Sequence, residues 1–311
     1  MPPQSPELPT LFLQGPTASG KTGLALRLAD VFPVRLISVD SLAVYRHFDL
    51  GSAKPEVAVQ ARYPHALIDI REPEEAYSAG DFARDAAVEV VAAHAAGQIP
   101  LLVGGTGLYF RALERGIADL PAADLMFRQQ LQEEAERDGW PALHQRLAEQ
   151  CPQRAAAIHP HDAQRIQRAL ELLAQGNATS SPWRGGLTGP IWKITLQHPR
   201  AELHARIAQR LQAMFTAGFR EEAEALFPRY GTADYPACRS VGYRQLFAWL
   251  GGECSLPEAE QSALYATRQL AKRQETWFRA EPADWLLHPE DSTQVLQILA
   301  ELQKRLRENN A

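Results

Sequence analysis

Gly15, Gly20, Lys21 and Thr22 stand in GPTASGKT (15–22) at the spacing GxxxxGK[ST]. That spacing suits phosphate chemistry. A glycine-rich turn exposes backbone N–H groups to an anion, lysine neutralises it, and the threonine hydroxyl can hold Mg²⁺. Gly15, Pro16, Thr17, Ala18, Ser19, Gly20, Lys21 and Thr22 are therefore the candidate phosphate cradle. The cradle alone does not say what carries the phosphates.

Two further points of chemistry follow apolar runs. Asp40 ends LISVD, and by position alone it can serve as metal ligand, general base or N-cap of the next helix. Thr106 lies in GGTGLY (104–109), where it either reaches the same crevice or completes a tight glycine turn. Arg206 and Arg210, four apart on one helix, either reach the phosphates or pair with Glu202 and nearby acids. His159, His161 and His198 have no spacing that suggests a metal site.

Basic residues gather in three stretches: DAQRIQRALELL (162–173), RSVGYR (239–244) and YATRQLAKRQETWFR (265–279). Taken singly, each reads as a solvated helix face. Together, on a chain of formal net charge −5, they raise the alternative of a local surface for a nucleic-acid backbone.

These residues need a frame. Apolar runs at 11–14, 35–40, 65–70, 99–105, 191–196 and 283–288 predict strands. Helical periodicity falls between them, at 21–32, 78–97, 203–218 and 257–280, with Ser78 and Asp81 spaced as a capping box. Strands alternating with helices predict an α/β fold: a P-loop-type parallel sheet core with flanking helices. The texture changes after residue 118, where helix-like stretches break at Pro141, Pro152 and Pro160 up to a glycine-rich segment, 176–190. The expected division is a core of 1–118 and 191–311 with a helical insertion domain over 119–190.

The 311 residues suffice for such a core. Cys151, Cys238 and Cys254 are scattered, which speaks against a zinc or disulfide framework and for a reducing cytoplasm. No signal peptide is expected from MPPQSPELP, and no apolar run is long enough to predict a membrane span.

GPTASGKT, LISVDSLAVYRHFDLGSAKP, LIDIREPEEAYSAGDFARDA, PLLVGGTGLYFRAL, RSVGYRQL and TRQLAKRQETWFR, in this order, resemble the bacterial tRNA dimethylallyltransferase family. The resemblance runs from Leu11 to Leu287. Only the first motif is generic; the series is specific.

The resemblance implies transfer of a dimethylallyl group from dimethylallyl pyrophosphate to the exocyclic amine of the adenosine 3′ of a tRNA anticodon. The loop would then hold a pyrophosphate leaving group. Asp40 would be the general base and Thr106 a hydrogen-bond donor at the reacting centre. Lys21, Arg210 and Mg²⁺ on Thr22 would stabilise the leaving group.

Contacts to the tRNA anticodon stem-loop are implied for Asp40, Ser41, Leu42, Ala43 and Thr106 around the base. In the insertion they are implied for Arg128, Gln164, Arg165, Ile166, Gln167 and Arg168. Further contacts are implied for Arg239, Ser240, Val241, Gly242, Tyr243 and Arg244, and for Lys272, Arg273, Gln274, Glu275, Thr276, Trp277, Phe278 and Arg279. A monomer is expected.

The chain departs from the family pattern at Gly51–Ser52–Ala53–Lys54–Pro55, where GTAKP is common, and in a shortened 176–190. A P-loop small-molecule kinase is the main alternative, but it leaves the insertion and the arginine-bearing segments without a use. An adenylate isopentenyltransferase needs no tRNA-clasping insertion. A non-catalytic RNA-binding module does not need Lys21, Thr22, Asp40 and Thr106 together.

Overall fold

The computed structural model describes residues 8–117, 121, 123–176, 183–289 and 291–309. The chain runs β1 (Thr10–Gln14), α1 (Lys21–Val31), β2 (Val34–Val39), α2 (Val57–Arg62), β3 (His65–Ala66), α3 (Ala79–Ala95), β4 (Ile99–Gly104) and α4 (Gly107–Arg115). Four helices follow: α5 (Leu125–Asp138), α6 (Trp140–Gln150), α7 (Pro152–Ala156) and α8 (Ala163–Ala174). Then come β5 (Ile191–Leu196), α9 (Arg200–Thr216), α10 (Phe219–Tyr230), α11 (Tyr243–Leu250), α12 (Leu256–Arg279), β6 (Trp285–Leu287) and α13 (Ser292–Asn309). Two compact units result, 1–114 with 187–311, and 115–186.

The first unit is built on a six-stranded sheet in the order β3-β2-β4-β1-β5-β6, with every pairing parallel. Side chains on a strand alternate between faces, and the two cores divide accordingly. Phe12, Ile37 and Leu102 join one core, with Phe82 of α3 and Phe278 of α12. Leu11, Leu13, Leu36 and Leu101 join the other, with Leu24 and Leu28 of α1 and Ile298 and Leu302 of α13. Burial on both faces explains why these strands read as continuous apolar runs.

Local signals explain most element ends. Ser78 Oγ accepts from Asp81 N at 3.2 Å while Asp81 Oδ2 accepts from Ser78 N at 2.9 Å, closing the expected capping box. One expectation fails. HALIDI makes only the two-residue β3, because Leu67 (φ 65°) and Asp69 (φ 56°) take left-handed backbone. The chain instead turns onto the loop after β2: Asp69 N donates to Ala43 O at 3.1 Å and Ile70 N to Val44 O at 2.9 Å. Asp69 also pairs with the buried Lys54 ammonium at 2.5 Å.

The second unit is helical among its described residues, around Leu131, Leu143, Leu147, Ile166 and Leu170. Pro141 and Pro152 do more than break helices. Each lies in the first turn of the next one, where a missing N–H costs nothing. The proposed boundary residue Asp119 and residues 177–182 of the glycine-rich segment lie outside the described residues. No helix among the described residues is long and apolar enough to cross a membrane.

Candidate active site

Sheet register sets the site. Gln14, Gly104 and Val39 pair across β1, β4 and β2 in one row. The residues that follow them, Gly15, Gly105 and Asp40, therefore leave the sheet at one level. In a parallel sheet this carboxyl edge is where ligands bind.

The loop after β1 enters α1 through Gly20 (φ 87°), a left-handed turn that glycine adopts without strain. No side chain caps α1, so its first N–H groups stay available to an anion. Lys21 Nζ curls back onto the loop, donating to Gly15 O at 2.9 Å and Pro16 O at 2.6 Å. Burial pushes its ammonium down to about 7; Arg210 beside it adds to the effect and Asp40 opposes it. Thr22 is exposed at the start of α1. Arg210 Nη1 donates to Thr17 Oγ1 at 3.3 Å, whereas Arg206 Nε is bonded to Ala18 O at 2.9 Å. Arg210 is thus the arginine aimed at the loop's polar side chain, and Arg206 binds the loop's backbone.

Asp40 Oδ1 accepts from Leu42 N at 2.8 Å and Ala43 N at 3.3 Å, which closes a turn and not a helix start, since the next helix, α2, begins only at Val57. Oδ2 takes no hydrogen bond among the described residues, so the base and metal-ligand roles stay open to it. Thr106 N donates to Val39 O at 3.3 Å, and Thr106 Oγ1 accepts from Ser41 N at 3.3 Å, leaving the hydroxyl proton to be donated elsewhere.

A cavity of about 380 Å³ joins these pieces. Thr17 and Ala18 of the loop, Asp40, Thr106 and Arg210 line it together with Arg239–Gly242 and Gln274. Ile207, Leu211, Met214, Phe219 and Leu270 give it an apolar wall. Sequence reasoning passed over that wall. Its signal was present, in the four-residue spacing of Leu203, Ile207 and Leu211 on α9, but a core-facing stripe looks the same.

Gln274, expected among the tRNA contacts, lies inside the cavity. Its Oε1 accepts from Thr17 N at 2.8 Å and its Nε2 donates to Gly105 O at 3.0 Å. It straps two ligand loops together. A side chain on Gly105 would meet that amide at 2.4 Å, so it would displace the strap.

Several residues expected to contact RNA are turned inward. Tyr243 is 0% exposed, its hydroxyl engaged by Glu222 and Gly51 N, and Phe278 is 3% exposed in the sheet core. Ile166 is 0% exposed in the helical unit's core. Ala43 and Gly242 are buried as well. Packing accounts for the burial of these five, and Gly242 also lines the cavity. Trp277 is partly buried, with the Arg111 guanidinium 4.0 Å from its ring centre.

Lys272, Arg273, Thr276 and Arg279 are exposed on one side of α12, Glu275 is half-buried beside them, Arg239 is exposed on the segment entering α11, and Arg244 is exposed in its first turn. Ser240 and Val241 are half-buried at the cavity, and Ser41 and Leu42 line it too.

Within the helical unit, Gln164 and Arg165 are exposed, while Gln167 Nε2 donates to Arg128 O at 3.2 Å. Arg128 and Arg168 both bind the carboxylate of Glu171, which is 0% exposed.

A sequence model of the family described as IPP transferase matches residues 43–281. Among curated relatives, a tRNA dimethylallyltransferase from Acidithiobacillus ferrooxidans is 56% identical over 306 residues, covering 96% of this chain and 90% of its own. One of the same name from Alkalilimnicola ehrlichii is 51% identical, with 88% of each chain covered. The crystal structure of the full-length tRNA isopentenylpyrophosphate transferase from Bacillus halodurans is 33% identical at a TM-score of 0.72, covering 97% of both chains. A eukaryotic dimethylallyltransferase solved acting on tRNA shares the fold at 21% identity and a TM-score of 0.76, covering 96% of this chain and 80% of its own.

Proposed function

The chain belongs to the IPP transferase family, and from that premise we propose that it transfers a dimethylallyl group from dimethylallyl pyrophosphate to the exocyclic N6 amine of the adenosine 3′ of a tRNA anticodon. It is a prenyltransferase of that family. Under this reading it works as a monomer in the cytoplasm.

The observation that carries the reading is the single cavity in which a phosphate loop, an acid and an apolar wall meet. A pyrophosphate ester of a short branched hydrocarbon matches both ends. The loop N–H groups, Lys21 and Arg210 take the phosphates, and Ile207, Leu211, Met214 and Leu270 take the tail. The adenine amine is a weak nucleophile because its lone pair is conjugated with the ring. Asp40 Oδ2 removes its proton as the N–C bond forms. The C–O bond to pyrophosphate breaks at the same carbon, and the electron pair leaves on the bridging oxygen. Thr106 donates its hydroxyl proton in a hydrogen bond to that oxygen, and Lys21 and Arg210 stabilise the charge that develops.

The donor chemistry suits Mg²⁺: Thr22 offers a hard hydroxyl oxygen at an exposed helix start, and the substrate's phosphate oxygens complete such a set. When bound there, Mg²⁺ supplies further neutralisation of the leaving group.

The adenine must leave its stack to reach Asp40. Exposed Lys272, Arg273 and Arg279 on α12, with Arg239 and Arg244, offer cations for the RNA backbone. Gln164 and Arg165 offer further contacts on the helical unit.

The test is incubation of labelled dimethylallyl pyrophosphate with tRNA lacking the modification, beside a parallel assay of ATP hydrolysis. Prenylated adenosine is expected in the first. Robust tRNA-independent ATP turnover without it would hand the chain to the kinase reading.

A further inference from the structure

His198, Glu202 and His288 form a cluster that the reaction above does not use. His198 sits just ahead of α9, Glu202 in its first turn, and His288 directly after β6. Their ligand atoms all lie within 4.8 Å of one another. His198 Nδ1 is 2.6 Å from Glu202 Oε1, and His288 Nε2 is 3.0 Å from Glu202 Oε2. Glu202 follows His198 by four residues, but His288 is 90 residues away in the chain, so spacing could not announce the cluster.

The hydrogen-bond accounting at His198 is what singles the cluster out. Its side chain is 0% exposed. Its Nε2 lies 2.9 Å from Ser19 O, and a carbonyl only accepts, so Nε2 carries the proton. In a neutral imidazole Nδ1 then presents a lone pair to a carboxylate oxygen at 2.6 Å. Two lone pairs at that distance repel. A proton or a metal ion between them removes that repulsion.

We propose that the bridge is a divalent metal ion of the zinc type, held by His198 Nδ1, the Glu202 carboxylate and His288 Nε2. Two imidazole nitrogens and one carboxylate form a recurrent zinc set with an open fourth position. A ligating histidine normally gives its other N–H to a backbone carbonyl or carboxylate, as His198 does to Ser19. Glu202 and His288 are 33% and 31% exposed, so an ion has a way in. Around a tetrahedral ion with bonds of about 2.0–2.1 Å the ligand atoms sit roughly 3.3 Å apart, and rotation of these two half-exposed side chains supplies the small spread needed.

Mg²⁺ does not suit this site, because it favours oxygen ligands. The cluster is therefore distinct from the Thr22 corner. Its effect would be structural: the metal would tie the carbonyl side of the phosphate loop at Ser19 to the start of α9 and the segment after β6. That segment is already tied to α1, since Arg27 Nη2 donates to Pro289 O at 3.3 Å.

The test uses the full chain without a histidine tag, loaded with Zn²⁺, dialysed, and assayed for metal by elemental analysis. One Zn²⁺ per chain is expected, retained against excess Mg²⁺, and Co²⁺ in its place should give the strong visible absorption of tetrahedral coordination. Glu202→Gln and His288→Gln should each lose the ion, while His159→Gln, in the other unit, should keep it. His288→Asn serves should Glu202→Gln fail to fold by circular dichroism. Absence of bound zinc in the native chain, or its retention by both His288 variants, overturns the proposal. Nuclear resonance showing His198 protonated on both nitrogens in the zinc-loaded chain would identify the bridge as a proton and overturn the proposal.

Discussion

Gln274 Oε1 accepts a hydrogen bond from the backbone N–H of Thr17 at 2.8 Å, although 257 positions separate the two residues. The same amide donates to Gly105 O, so one side chain holds the phosphate loop and the GGTG turn in register.

Gln274→Ala removes two neutral hydrogen bonds worth about 1 kcal/mol each, and should raise the donor KM by roughly tenfold or somewhat more. Gln274→Glu should do worse, because it sets a carboxylate against Gly105 O and beside the pyrophosphate. Steady-state kinetics with varied donor decides this. An unchanged KM in both variants would mean that the loop holds its shape without the strap.

Asp40→Asn separates the turn contacts from the base. Asparagine keeps an oxygen for Leu42 N and Ala43 N but cannot take a proton from the amine. Transfer should fall by about a hundredfold or more with tRNA affinity nearly intact. Single-turnover rates beside a binding titration measure both. Near-native turnover would leave Asp40 only its turn contacts to Leu42 N and Ala43 N.

Lys21 makes donor binding dependent on pH. Its ammonium, lowered to about 7 chiefly by burial, is mostly neutral at about pH 8 in the free protein. A bound pyrophosphate favours the charged form. Binding at about pH 8 should therefore take up close to one proton, and affinity should weaken as pH rises from about 7. Calorimetry in buffers of different ionisation enthalpy reads the uptake directly. Lys21→Arg, which stays protonated, should show none.

Replacing the exposed Lys272, Arg273 and Arg279 by alanine should weaken tRNA binding and flatten its dependence on salt. Each lost phosphate contact removes roughly 0.7–0.9 from the slope of log K against log salt. Donor binding should persist. A salt titration that does not distinguish the triple variant from the native chain would make these charges a solvated face.

Glu171 holds the helical unit. Its carboxylate accepts from Arg128 Nε and Nη2 at 2.9 Å each and from Asp124 N at 2.7 Å, and it pairs with Arg168. Burial works to raise its pKa, but the two guanidiniums and the Asp124 N–H outweigh it and hold the group below the usual carboxylate range. Glu171→Gln should destabilise the unit by about 3 kcal/mol, the lower end for a broken buried pair, because both arginines keep some contact with water. In the native chain the contribution is present above the unfolded value, about 4.3, and is lost as pH falls through the lowered folded value. Denaturant unfolding of both chains over that range is the measurement.

Much of the site was legible in the sequence because it is local. GPTASGKT needs only consecutive backbone and the start of one helix, and Asp40 and Thr106 announce themselves by following apolar runs. Ser78 and Asp81 cap α3 across three residues. Such signals lie within one turn or one strand, so the chain carries them whatever the fold does with it.

The tertiary structure decided what depends on facing. TRQLAKRQETWFR has a helical period, but basic and aromatic residues occupy several of its faces, and only the sheet beside it decides which one is buried. Phe278 therefore enters the core and Gln274 the cavity, while Lys272 and Arg273 stay in water. HALIDI has strand composition, yet its backbone is drawn into left-handed turns by partners at Ala43, Val44 and Lys54. The apolar cavity wall, the Gln274 strap and the His198–Glu202–His288 cluster all join residues far apart in the chain. Their geometry follows from strand order and helix packing, which bring such residues together through interactions that no local stretch of sequence contains.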